Sequence, residues 1–141
     1  MRTDHVIALL ADIRGRAHEF IAAELERRGH PGLAPSHGAI LARLYEQGPL
    51  PMGVLAQGVG RRKNTLTTLV RKLEAAGYVQ RQPDPRDSRI TRVALTAKGE
   101  AFRPDFSEVS RILLERTWGS LDRSRQEALV AGLEEILRNL T

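Results

Sequence analysis

Three consecutive cations, Arg61, Arg62 and Lys63, open the stretch of this 141-residue chain best equipped to do chemistry. They lead into Asn64, Thr65, Thr67, Thr68, Arg71 and Lys72, and further on stand Arg81, Arg86, Asp87 and Arg89. From Arg61 to Arg92 there are nine Lys/Arg against three Asp/Glu, a net charge of +6 in a chain whose total is +5. The excess positive charge is therefore confined to one segment. A local basic patch is the electrostatic signature of a nucleic-acid site. The chemistry expected there is recognition, because short hydrogen-bonding side chains can reach base edges while flanking cations hold phosphates. We expect phosphate contacts from Arg61, Arg62, Lys72 and Arg81. Base-edge contacts are expected from Asn64, Thr67, Thr68 and Arg71, with Thr65 beside them and Lys63 serving either role. Arg86 and Arg89 lie on a turn-rich loop, PDPRDSR, from which an arginine can enter a narrow, negative minor groove. Asp87 can hold Arg89 through a bidentate pair.

Other chemistries find little support. The four histidines, His5, His18, His30 and His37, form no H-E-x-x-H. No Gly-rich phosphate loop or G-x-S-x-G occurs either. We therefore expect no enzyme, no catalytic residue, no metal ligands and no cofactor; a metal-responsive regulator has no ligand spacing behind it. Cysteine is absent, which removes disulfides, thiol nucleophiles and thiolate metal sites. No apolar run approaches the ~20 residues that span a bilayer. The N-terminal segment carries Asp4 and Asp12 around a short apolar stretch and reads as a helix, not a signal peptide. The cytoplasm is the expected location, and no membrane partner is expected.

The length favours one domain over residues 1–141, mainly α with a small β-hairpin. Residues 4–28 show apolar positions at Val6, Leu9, Leu10, Ile13, Ala17, Phe20, Ile21 and Leu25, close to the i, i+3, i+4, i+7 pattern. Thr3 or Asp4 can cap this helix and Gly29 ends it. Its length, and its distance in sequence from the basic patch, suggest that it packs on a second chain. A second helix runs from Pro35 to about Gln47, and a short third from Met52 to Gly58. A fourth, from Arg62 to Ala76, turns Leu66, Leu69, Val70 and Leu73 inward, and Gly77 closes it. Two helices joined by a tight Gly-containing turn are a helix-turn-helix. Strands over Tyr78–Gln82 and Thr91–Leu95 then make the hairpin that follows it, a wing. Thr96 can cap a fifth helix reaching about Trp118, which Pro104 kinks or delays. Asp122 can cap a last helix whose stripe is Leu129, Leu133, Ile136, Leu137 and Leu140.

Three segments together resemble the MarR family of winged-helix transcriptional regulators: Asn64–Val79, Asp87-Ser88-Arg89, and VALTAKG from Val93 to Gly99. The resemblance covers nearly the whole chain. It implies a winged helix-turn-helix lobe over 35–96, and a dimerisation region of N- and C-terminal helices over 1–30 and 97–141. It further implies a homodimer, most often a repressor, that grips a pseudo-palindrome in double-stranded DNA. A small phenolic or anionic effector is expected between lobe and dimer region. His37, Tyr45 and Trp118 are candidates to line its pocket, against plainer roles in core or interface. The chain departs from the family pattern at Arg62, Asn64 and Thr68, where relatives often carry Ser, Pro and Arg, and at Ala34 in place of Thr. The base sequence read in the groove therefore does not transfer from relatives. The lack of cysteine argues against the peroxide-sensing branch. A winged helix used only for protein contacts is the remaining alternative, and the basic wing argues against it.

Overall fold

The computed structural model describes all 141 residues. Six helices and three strands follow in the order α1 (Val6–Arg27), α2 (Gly38–Gln47), β1 (Leu50–Pro51), α3 (Met52–Val59), α4 (Lys63–Ala75), β2 (Val79–Pro83), β3 (Thr91–Leu95), α5 (Ala97–Trp118) and α6 (Arg123–Asn139). A short 3-10 turn over Pro35–His37 leads into α2. Compactness separates residues 1–109 from residues 110–141, a division that falls inside α5.

The first unit holds the core. Leu25 of α1, Ile40, Leu41 and Leu44 of α2, Leu55 of α3, Leu66, Val70 and Leu73 of α4, Val79, Val93 and Phe102 pack into one cluster. The i, i+3/i+4, i+7 spacing of Leu66, Val70 and Leu73 buries one side of α4 and leaves the opposite side to solvent. Gly77, with φ +90°, reverses the chain after α4 and starts the hairpin. The sheet has the order β1-β3-β2, all antiparallel, with Val79 opposite Leu95 and Pro83 opposite Thr91.

Several expectations need correction. The N-cap of α1 is His5, with no capping side chain; the Asp4 carboxylate instead accepts two hydrogen bonds from Arg2 at 3.1 and 2.8 Å. Helix α3 runs through Gly58 and ends at Gly60 (φ +67°), so Gly58 is not part of the turn. Helix α5 continues through Pro104, which only withholds one N–H from the ladder. Strand β1 pairs Leu50 with Val93 and Pro51 with Arg92, extending the two-stranded hairpin to a three-stranded sheet.

The second unit comprises the end of α5, a turn at Gly119 and α6. Asp122 caps α6 by accepting from the Arg125 N–H at 2.9 Å. No residue of α6 is buried. Leu137 and Leu140 stand 64% and 74% exposed.

Candidate nucleic-acid interface

The outward face of α4 is built from the residues between its buried positions. Lys63, Asn64, Thr67, Thr68 and Arg71 line one shallow concavity of about 660 Å³. Arg61, Arg62, Lys63, Asn64, Thr65, Thr68, Arg71 and Lys72 are all exposed, and Thr67 is half-buried. Among the cations of this face, Arg61, Arg62, Lys63, Arg71 and Lys72 donate no side-chain hydrogen bond within the chain. Their charge is thus available to an outside anion. Arg62, at the N-cap of α4, provides no side-chain cap. The Asn64 side-chain oxygen accepts from the Thr65 N–H at 2.9 Å and satisfies one donor of the first turn. The Thr67 hydroxyl donates to the Lys63 carbonyl at 2.8 Å, and the Thr68 hydroxyl to the Asn64 carbonyl at 3.1 Å.

The wing is held by its own aspartates. Asp84 Oδ1 accepts from the Arg86 and Asp87 N–H groups at 2.8 and 3.3 Å, an Asx turn that orders the tip. The Asp84 N–H donates to the Ile90 carbonyl at 2.8 Å and closes the loop at its base. Asp87 grips Arg89 as expected: Nε donates to Oδ1 and Nη2 to Oδ2, both at 3.0 Å, and the Arg89 N–H adds a third bond at 3.1 Å. Those bonds hold the Asp87 carboxyl below its ordinary range. Arg86 and Arg89 remain exposed at the tip.

Arg81 is differently placed. It is locked onto Glu74 at the end of α4, with Nη2 3.1 Å from Oε1 and its N–H donating to Oε2 at 3.2 Å. The Arg81 bonds depress the Glu74 carboxyl. The pair ties α4 to β2, so the Arg81 charge is already half-neutralised within the chain. A groove of about 560 Å³ lies between helices and wing, with Lys63, Thr67, Arg81 and Arg89 among its lining. Of the site residues read from the sequence, Lys63 and Thr67 join two adjoining concavities, one with Asn64, Thr68 and Arg71 and the other with Arg81 and Arg89, while Arg61, Arg62, Thr65, Lys72, Arg86 and Asp87 lie outside both; Arg81 is tied down and Thr67 half-covered. Sequence reading missed Glu74 and Asp84 as the parts that position them. Asp84 had a visible signal, an Asx two residues before Arg86 in a Pro-rich turn; Glu74 had none, because its partner is seven residues away across a reversal.

The exit of α4 is strapped to the start of α5. The Thr96 hydroxyl donates to the Gly77 carbonyl at 2.5 Å and accepts from the Gly99 N–H at 3.1 Å. A Cβ on Gly99 would stand 2.1 Å from the Tyr78 carbonyl oxygen. The VALTAKG segment is therefore a junction that only glycine can complete at that position.

Of the effector candidates, His37 is buried (3% exposed) and accepts from the Ala34 N–H through Nδ1 at 3.0 Å. Its Nε2 has no partner, and burial pushes its pKa down. The Tyr45 hydroxyl donates to the Gly99 carbonyl at 2.6 Å, and burial pushes it up to about 12. Trp118 belongs to the second unit, beside Arg123, Gln126 and Glu127 in a cavity of about 330 Å³.

The sequence model described as "MarR family" matches residues 33–91, the span that carries the helix-turn-helix and most of the wing. Over that span the chain resembles the MarR family. Its relatives include the HTH-type transcriptional regulator YkoM of Bacillus subtilis, 26% identical over 74% of this chain and 68% of that one. Another is the HTH-type transcriptional repressor IacR of Pseudomonas putida, 28% identical over 72% of this chain and 60% of that one. The solved structure of a MarR transcriptional regulator from Methanosarcina mazei Go1 superposes with a TM-score of 0.79. It is 27% identical and covers 97% of this chain and 96% of that one. The matches to the first curated relatives span 55–68% of their lengths. By these likenesses the chain is a DNA-binding transcriptional regulator and not an enzyme.

Proposed function

We propose that this MarR-family regulator is a cytoplasmic, homodimeric, ligand-responsive repressor of a pseudo-palindromic operator. The observation that carries the DNA-binding geometry is the row of exposed cations at the start and along α4, flanked by a wing tip on which Arg86 is exposed and Asp87 grips the exposed Arg89. In this reading α4 enters the major groove. Arg61, Arg62, Lys72 and, more weakly, Arg81 take phosphates, Asn64, Thr65, Thr67, Thr68 and Arg71 meet base edges, and Lys63 serves either. Arg86 and Arg89 enter the minor groove. Two such lobes over 35–96 would address half-sites about 10 bp apart.

Dimerisation through 1–30 and 97–141 is supported by unclaimed apolar surface. Ile7, Leu9 and Ile13 on α1 and Leu114, Leu129, Val130, Leu137 and Leu140 on α5 and α6 are all exposed. A helix of this kind owes its stability to burying one face, and α6 buries none within its own chain. IacR is named a repressor, which supports that sign of regulation here. The buried, unpaired Nε2 of His37 supports a small phenolic or anionic effector on the lobe side, near Tyr45 in sequence.

The test is a salt series on bound DNA, with sedimentation for oligomeric state. Six to ten phosphate contacts per dimer lose roughly three to five orders of magnitude in affinity between 50 and 200 mM salt. Lys72→Ala should weaken every duplex alike and lower the log–log slope by about 1 per protomer. Affinity that stays flat with salt, or a stable monomer, would refute the reading.

A further inference from the structure

The hydrogen bonds inside the recognition helix restrict which bases it can read. A threonine hydroxyl has one hydrogen to give. Thr67 and Thr68 both spend it on the carbonyl four residues back, at 2.8 and 3.1 Å. Each then has an acceptor oxygen and a methyl group to offer, and no hydrogen. Asn64 has the opposite bias: its side-chain oxygen is taken by the Thr65 N–H, leaving the amide NH₂ to donate. Arg71 and Lys63 are donors only. The five side chains share one concavity, so they confront the same stretch of groove.

The face therefore reads donor, acceptor with methyl, donor from the start of α4 to its middle. From Asn64 to Arg71 the helix rises about 10.5 Å, roughly three base steps. In the major groove the only donors that can meet an acceptor are adenine N6 and cytosine N4, and only thymine presents a methyl. An A·T pair alone supplies both. At the far end Arg71, a forked donor, is matched best by guanine O6 and N7.

We propose that α4 selects a half-site with A·T pairs beneath Thr67 and Thr68 and guanine within about three base pairs, beneath Arg71. This rests on the DNA-binding reading and adds to it the base class recognised. Thymine is read largely through its 5-methyl group, because the threonine hydroxyl hydrogens are already committed.

The test begins with selection of bound duplexes from a random pool. Single thymines of the selected half-site are then replaced by deoxyuridine, which keeps the pairing and removes the methyl. Burial of one methyl predicts about a fourfold loss of affinity per replacement within the A·T core. The exposed Thr68 allows two variants that leave the packed side of α4 intact. Thr68→Val keeps a methyl and should still distinguish thymine from deoxyuridine; Thr68→Ser lacks one and should bind both duplexes alike at one position. Equal affinity of the unaltered protein for both duplexes, or a G·C core in the selected sites, would overturn the inference while leaving salt-dependent DNA binding standing. Failure to bind any duplex at low salt would overturn both.

Discussion

Replacing Gly99 with alanine sets two effects of opposite sign against each other. Gly99 lies in the first turn of α5, where alanine is favoured over glycine by about 1 kcal/mol on helix propensity. Against that, the new Cβ would sit 2.1 Å from the Tyr78 carbonyl oxygen, with the Leu95 side chain at 3.1 Å. The obstructing atom is backbone, itself accepting from the Thr96 N–H at 3.1 Å, so it cannot swing aside. Forcing an extra carbon into such a contact costs typically 1–3 kcal/mol, and a backbone clash about 1 Å deep belongs at or above the upper end. We expect a net loss of about 2 kcal/mol. At about 2.1 cal/mol/K per residue this lowers the melting temperature by about 7 °C. The control is Gly132→Ala in α6, where a Cβ meets nothing within 4 Å and propensity should act alone, raising stability by up to about 1 kcal/mol. Thermal and urea unfolding of both variants supply the comparison. Should Gly99→Ala prove as stable as Gly132→Ala, the strap between α4 and α5 is not the tight contact described.

Three further outcomes are expected. His37 is held neutral by burial, so its folded pKa lies below the ordinary 6.5. The unfolded chain then binds more protons as pH falls below 6.5, stability drops in that window, and His37→Gln should flatten the drop measured by urea unfolding at pH 7, 6 and 5. The carboxylates of Asp87, Glu74 and Asp105 are all depressed, so what they contribute is present above about pH 4.5 and is lost only at lower pH, outside the His37 window. Arg89→Ala should weaken operator binding at least tenfold by fluorescence anisotropy, while sedimentation still shows a dimer; unchanged affinity removes the wing from the interface. Leu137→Glu, at a position 64% exposed in the single chain, should shift the protein to monomers at micromolar concentration without changing its far-UV spectrum; an undisturbed dimer would place the interface elsewhere.

The sequence disclosed the helices wherever one apolar side repeats at the helical period and a glycine ends it. Leu66, Val70, Leu73 and Gly77 marked α4, and the polar residues left over marked its reading face. The wing was legible from alternation in Thr91–Leu95 and from the Pro/Asp turn before it. The Asp87–Arg89 clamp was legible because its partners are two residues apart. What escaped was non-local. Strand β1 is two residues long, one of them proline, and exists only because Val93 and Arg92 lie opposite. The same holds for Arg28 and His30 reaching Asp105 at 2.9 and 3.3 Å, and for the 2.6 Å bond between His30 and the Tyr78 hydroxyl. No periodicity announces such partners. The direction of the threonine hydroxyls was hidden for another reason: composition shows that a group is polar but not which of its capacities is already spent.

The junction at Gly99 leaves no slack between the backbone of Tyr78 and the first turn of α5. Parts fitted without clearance share any displacement, so a shift of that turn must also be felt at the close of α4, where the Thr96 hydroxyl holds the Gly77 carbonyl.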